Sequence, residues 1–257
     1  MRTSQMSKKN NPIAYLYIIP HAIFYGGFIM VPLFLGFYMS LNRWSLFKGR
    51  EGYVGLKYYR RLFVGDFIRG DHFWQALLVT VKFVVYFAPA LVLISLGLAL
   101  LIHSYKSKWL RACSQFSFLV PTAIAISVGA VIWRWILGYE SGILNYALTW
   151  MSIEKKPWLT DLPWAWLAII LPTLWMACGW NMILFMVGLQ RIPPTLYEAA
   201  RVDGANAWNR FVYITLPGLR PVTIFIVITT LIGAFNLFAQ PQLLTGGGPG
   251  RATTPVM

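Results

Sequence analysis

Five long apolar stretches decide what this 257-residue chain can fold into. Segments 13–41, 73–102, 116–137, 164–189 and 222–239 are mainly apolar, and a helix needs about 20 such residues to cross the hydrocarbon core. The first has no Lys, Arg, Asp or Glu; Lys82 interrupts the second, and Arg134 sits near the end of the third. A bilayer offers no water to the backbone, and a helix pairs its own N–H and C=O groups. Composition points the same way. Charged residues make up 12% and apolar residues 58%, whereas a soluble domain carries about 25% charged residues. The expected fold class is all-α: a polytopic membrane helix bundle with five spans. Residues 1–12 read as a short polar tail and 13–257 as one transmembrane domain.

The formal net charge of +14 would suggest a nucleic-acid partner in a soluble chain. Here the Lys and Arg lie mainly between the apolar runs, where anionic lipid headgroups are the ordinary partner and no nucleic acid is called for. Cys113 and Cys178 give neither a disulfide framework nor a metal spacing, and His21, His72 and His103 are too dispersed for a metal or catalytic cluster. No metal site and no cofactor of the chain's own is expected. No G-x-x-x-x-G-K-[ST] loop is present, so nothing in the chain marks it as an ATPase.

Prolines 20, 32, 89, 121 and 172 fall within or beside the apolar segments, where neighbouring helices can satisfy the carbonyls they free. Trp133, Trp135, Trp158, Trp164 and Trp166 cluster at segment ends, as in an interfacial belt. Orientation does not follow from charge. With the N-terminus inside, inner and outer regions each hold ten Lys or Arg, because the loop 42–72 alone holds seven. Within that loop, residues 57–63 have the pattern of a basic amphipathic helix on the membrane surface.

Residues 190–220, between the fourth and fifth segments, read as helix, turn, helix. Pro193 and Pro194 suit a helix start. Thr195 with Glu198 three residues on has the capping-box spacing, and Gly204 suits a helix end. Trp208, Phe211 and Val212 then recur at helical spacing, and Pro217 is expected to stop the second helix. Ala199 and Ala200 are small enough to let another protein approach closely.

The residues Glu198-Ala199-Ala200, Asp203-Gly204-Ala205 and Ile214-Thr215-Leu216-Pro217 resemble the EAA loop of ABC importer permeases. The run 54–59 followed by Leu62-Phe63, the Trp133-Arg134-Trp135 and 142–145 stretches, and the run 244–249 with Thr253 are similar to the carbohydrate-uptake, maltose-type branch. The resemblance implies a transport subunit rather than an enzyme. It implies two ATP-binding partner subunits carrying ATP and Mg, a second homologous permease and an extracytoplasmic solute-binding protein. It also implies a sugar substrate and a bacterial or archaeal inner membrane with the N-terminus cytoplasmic. Glu198, Ala199, Ala200, Asp203 and Gly204 would contact the ATPase. In that family a sixth span follows the Gly-rich loop, and it is expected here beyond residue 257.

Gly233, Asn236 and Gln240 fall on one helical face of the fifth segment; Trp175 and Gly179 share a face of the fourth, with Asn181 adjoining. The family places substrate contacts on these two helices. On that basis Asn236 and Gln240 are expected to hydrogen-bond sugar hydroxyls, and Trp175 to stack on a ring. Interhelical packing is the alternative for each. Lys82 and Arg134 either snorkel to the headgroups or bias the path toward an anionic carbohydrate. A permease for a non-sugar solute and a non-transporting membrane scaffold or receptor remain open beside the importer reading.

Overall fold

The structure, a computed structural model, describes residues 12–45, 47–64, 70–250 and 252–255. The expected polar tail lies outside the described residues except for Pro12. The chain forms two compact units, Met1–His72 and Phe73–Met257.

In the first unit, α1 (Pro12–Tyr25), a π-helical turn (Gly26–Met30) and α2 (Val31–Ser40) run as one apolar helix. An antiparallel hairpin follows, β1 (Asn42–Ser45) and β2 (Gly49–Tyr53), with an irregularity between Arg43 and Trp44. The sequence gives no sign of it, since Asn, Arg and Gly disfavour strands. Asn42 holds it instead. Its buried amide donates to the Tyr38 carbonyl at 2.7 Å and its oxygen accepts from Arg50 Nε at 2.9 Å. The expected basic amphipathic helix is present as α3 (Lys57–Val64), and Tyr59 shares a 2.7 Å hydroxyl–hydroxyl bond with Ser40.

The second unit is helical. Its elements are α4 (Gly70–His103, taken here from Phe73), α5 (Lys108–Leu119), α6 (Ile126–Ile136), α7 (Ile143–Trp150), α8 (Trp164–Gln190), α9 (Pro194–Val202), α10 (Ala207–Arg210), α11 (Leu216–Phe235) and α12 (Ala239–Leu244). Helix α8 carries the core. Ile169, Leu174 and Cys178 cluster with Phe83, Phe87 and Leu91 of α4, and Met182, Phe185 and Met186 cluster with Ala99, Ile102 and Ile226. Outward-facing side chains of α4 and α11, such as Leu93, Phe225 and Ile232, are apolar and exposed, as lipid-facing helices require. Lys82 is among the exposed residues of α4.

Among the described residues four helices are long and apolar enough to cross a membrane, and five if one bent pair counts as a span. The bent pair corrects the third expected segment. Residues 116–137 are not one straight helix. Helix α5 runs into a 3-10 turn (Val120–Ala123), the chain is extended at Ile124, and α6 leaves at 103°. Pro121 lacks the N–H that would continue the α ladder, and the Thr122 hydroxyl donates to the Leu119 carbonyl at 2.7 Å.

The fifth segment is corrected at both ends. Pro217 stops nothing. Helix runs unbroken over Ala207–Phe235, because a π-helical turn (Phe211–Thr215) precedes the proline, and the Leu216 N–H reaches back five residues to the Phe211 carbonyl. At the far end the helix closes at Phe235, and Asn236 caps it by donating to the Ile232 carbonyl at 2.8 Å. Gln240 therefore belongs to α12, not to the face that carries Gly233.

Candidate functional site

Helix α9 begins with Pro193 and Pro194, whose fixed φ suits a first turn. No side chain caps it, so the expected Thr195–Glu198 capping box is not made. Its end matches expectation. Gly204 sits at φ +75°, a left-handed conformation that costs glycine little. Asn206 then caps α10 by accepting from the Asn209 N–H at 2.8 Å. Glu198, Ala199, Asp203 and Gly204 are exposed and Ala200 is half-buried. Val202 and Trp208 are among the most exposed apolar side chains of the second unit, at 88% and 69%. The loop thus offers one contiguous surface of small, acidic and apolar groups, the composition of a knob for a partner's groove.

The same unit lines an open cavity of about 410 Å³. Phe83, Phe87 and Leu91 of α4 form an apolar wall. Thr173, Ala177, Trp180 and Asn181 of α8 face it, with Thr229, Thr230, Gly233 and Ala234 of α11, then Asn236, Leu237 and Gln240. Few but convergent polar groups on an apolar wall suit a small ligand. Asn181 gives its amide N–H to the Ala177 carbonyl at 3.3 Å and Asn236 gives its own to Ile232, so each has a carboxamide oxygen left to accept from a hydroxyl. A Cβ at Gly233 would meet nothing within 4 Å. The Thr229 hydroxyl is spent on the Phe225 and Ile226 carbonyls.

Four of the six expected substrate contacts, Gly233, Asn236, Gln240 and Asn181, are thus brought to one cavity. Trp175 and Gly179 are not. Trp175 packs edge-on against Trp133, with ring centroids 6.0 Å apart. Gly179 is where α8 touches the backbone at the end of α5, and a Cβ there would overlap the Phe118 carbonyl. The tryptophan at the cavity is Trp180 instead, opposite Phe83 and Phe87. Thr173, Thr230 and Trp180 escaped sequence reasoning, although Thr173, Ala177 and Asn181 recur at i, i+4 and i+8 and Thr230 precedes Gly233 by three residues, both one-face spacings.

A second hollow, about 360 Å³, is lined by Arg134, Thr160, Gln242, Thr245 and Gly246 among others. The Gly-rich run beside it is a turn, as expected. Gly246, Gly247 and Gly250 have positive φ, and Thr253, almost wholly buried, bonds Thr245 at 2.8 Å and the Gly248 carbonyl at 2.6 Å. Arg134, next to it, has no ion-pair or hydrogen-bond partner among the described residues.

Comparison with known proteins fits this arrangement. The trehalose/maltose transport system permease protein MalF of Thermococcus litoralis is 32% identical over 254 residues, 99% of this chain and 84% of the relative. The sulfoquinovosyl glycerol transport system permease protein SmoG of Agrobacterium fabrum is 34% identical over 244 residues, 94% of this chain and 77% of the relative. In fold, the chain resembles a bacterial alginate ABC transporter solved in complex with an alginate pentasaccharide-bound periplasmic protein. The TM-score is 0.80 at 24% identity, over 94% of this chain and 78% of that one. Residues 91–256, which include the cavity's α8, α11 and α12 and the whole exposed loop, match the family model described as the binding-protein-dependent transport system inner membrane component. With that match and these relatives, the chain belongs to the family of inner membrane permease components of binding-protein-dependent transport systems.

Proposed function

We propose that this chain forms, with a second homologous permease, the membrane pathway of an ATP-driven importer for a sugar or oligosaccharide. The single observation that carries the reading is a continuous helix, Ala207–Phe235, with the exposed loop at one end and, at the other, the cavity into which a few polar groups converge. A movement imposed on the loop by a partner can pass to the cavity along this one continuous helix. Two ATP-binding subunits would hold ATP and Mg and hydrolyse it, docking at Glu198, Ala199, Ala200, Asp203 and Gly204. An extracytoplasmic binding protein would deliver the solute. The loop and the N-terminus would then be cytoplasmic, in a bacterial or archaeal inner membrane. The names of the maltose and sulfoquinovosyl glycerol relatives support a glycoside substrate.

The test is ATPase activity of the purified assembly in lipid discs, with its binding protein and a panel of neutral and anionic oligosaccharides. One sugar class is expected to stimulate hydrolysis. Gly204→Val is expected to abolish the stimulation, because a β-branched residue is strained at φ +75°. No co-purifying ATPase, as for a scaffold or receptor, or stimulation only by a non-sugar solute, would sink the reading.

Two substitutions address the cavity. Gly233→Leu adds a side chain into open space, so it is expected to block uptake with normal assembly and stability. Asn236→Ala removes one acceptor and is expected to weaken uptake by about tenfold, the worth of a hydrogen bond lost to a bound hydroxyl. Loss of assembly without a selective uptake defect would place both residues in packing instead.

The unpaired Arg134 further favours an anionic sugar. Its attraction is screened by salt, so Arg134→Gln is expected to remove the salt sensitivity of uptake along with the preference for a carboxylated oligosaccharide over its neutral counterpart. A salt-independent preference for neutral sugars in the unmodified protein would count against it.

A further inference from the structure

The start of the exposed loop is fastened to the beginning of the cavity helix. The Tyr197 side chain on the first turns of α9 reaches Thr215, the last residue of the π-helical turn, with 3.0 Å between the hydroxyls. Thr215 is buried and its oxygen also lies 3.4 Å from the Arg210 carbonyl; either hydroxyl can donate in the bond to Tyr197. One turn further on, Ile192 fills the notch left by Gly218; a Cβ on Gly218 would come within 2.7 Å of Ile192 Cδ1. Helix α9 is therefore pinned at its N-terminal end to residues 215–218, while its C-terminal end, Val202 to Gly204, is bare of neighbours.

A π-helical turn is a weaker part of a helix, because its hydrogen bonds close wider rings. Without a brace, force applied at Val202 or Gly204 would be taken up by bending at residues 211–215. We propose that the Tyr197–Thr215 hydrogen bond is that brace: a positioning pair that makes α9 and the cavity helix move as one lever, so that the partner's stroke reaches Gly233 and Asn236. This rests on the importer reading.

The experiment uses the importer assembled with its second permease and ATPase subunits in lipid discs. A Gln240→Cys reporter, in a Cys113→Ser background, is labelled with a membrane-impermeant maleimide with and without Mg-ATP. In the otherwise unmodified protein Mg-ATP is expected to change the labelling rate. Tyr197→Phe and Thr215→Val are each expected to shrink that change by about three- to tenfold, the range set by one net hydrogen bond, while ATP hydrolysis persists. The double variant is expected to be no worse than either single one, as for two halves of one interaction. Thr215→Ser, which keeps the hydroxyl, is expected to restore the response. Additive losses, or failure of Thr215→Ser to rescue, would overturn the brace, as would an undiminished response in both single variants. Absence of any Mg-ATP effect in the unmodified assembly would overturn the importer reading, and the brace with it.

Discussion

Replacing Asn145 with Ala is expected to lower the unfolding midpoint by about 8–16 °C, from about 4 kcal/mol of lost stability at about 2–4 °C per kcal/mol. Asn145 is fully buried, and its side chain makes five hydrogen bonds. The two amide N–H groups are shared among three carbonyls, those of Gly138 and Tyr139, both at 3.2 Å, and of Lys156 at 3.0 Å. Its oxygen accepts from the Lys156 N–H and from Trp158 Nε1, each at 2.9 Å. One side chain thus closes the segment 138–158 on itself and seats Trp158 against Leu137 and Ala168. Alanine would strand these backbone groups where water reaches them poorly. Trp158→Phe removes a single bond, so its effect is expected to be about a third as large. A thiol-reactive dye can follow both, because buried Cys178 reports unfolding once exposed Cys113 is changed to Ser. A midpoint within about 2 °C of the unmodified protein would show that the bonds hold nothing in place.

Gly179→Ala is expected to cost about 3 kcal/mol or more, the upper range for an overpacked core. The added methyl would overlap the Phe118 carbonyl carbon and oxygen, and those atoms belong to backbone that cannot swing aside. Helix α8 and the end of α5 would have to separate, opening the core on which the cavity stands. Gly233→Ala is the matched control. It makes the same chemical change in open space and is expected to leave stability unaltered. Folded yield and thermal midpoint in detergent read both. A Gly179→Ala midpoint equal to that of the control would contradict the close approach.

The straight spans were legible because burial in lipid forces long apolar runs: 73–102 and 164–189 became α4 and α8 within a few residues. The Asp203–Gly204 turn was legible because only a few residues adopt positive φ. The elbow at 124–125 was not. Its residues are Ile and Ala, as apolar as the helices on either side. The bend comes from Pro121, from the Thr122 hydroxyl bond to the Leu119 carbonyl and from the seat of the α5 end on Gly179, a contact between residues distant in sequence. Pro217 misled for a related reason. Whether a proline ends a helix depends on the carbonyls before it, and a π-helical turn had already displaced them. At the cavity, polar residue type identified Asn181, Asn236 and Gln240. It did not separate Trp175, which packs on Trp133, from Trp180, which lines the cavity, because one aromatic on a membrane helix reads like the next until its neighbour is known.

The π-helical turn at Phe211–Thr215 also bears on how this chain can vary in length. Its hydrogen bond spans five residues where an α turn spans four. It therefore stores one extra residue without rotating the faces on either side. An insertion elsewhere in a regular helix would turn everything beyond it by about 100° and swing Gly233 away from Asn181. Loss of one residue within 211–215 would instead leave an ordinary α turn with both faces still in phase. This is the place in the cavity helix where evolution can add or delete a residue without redirecting the wall it builds.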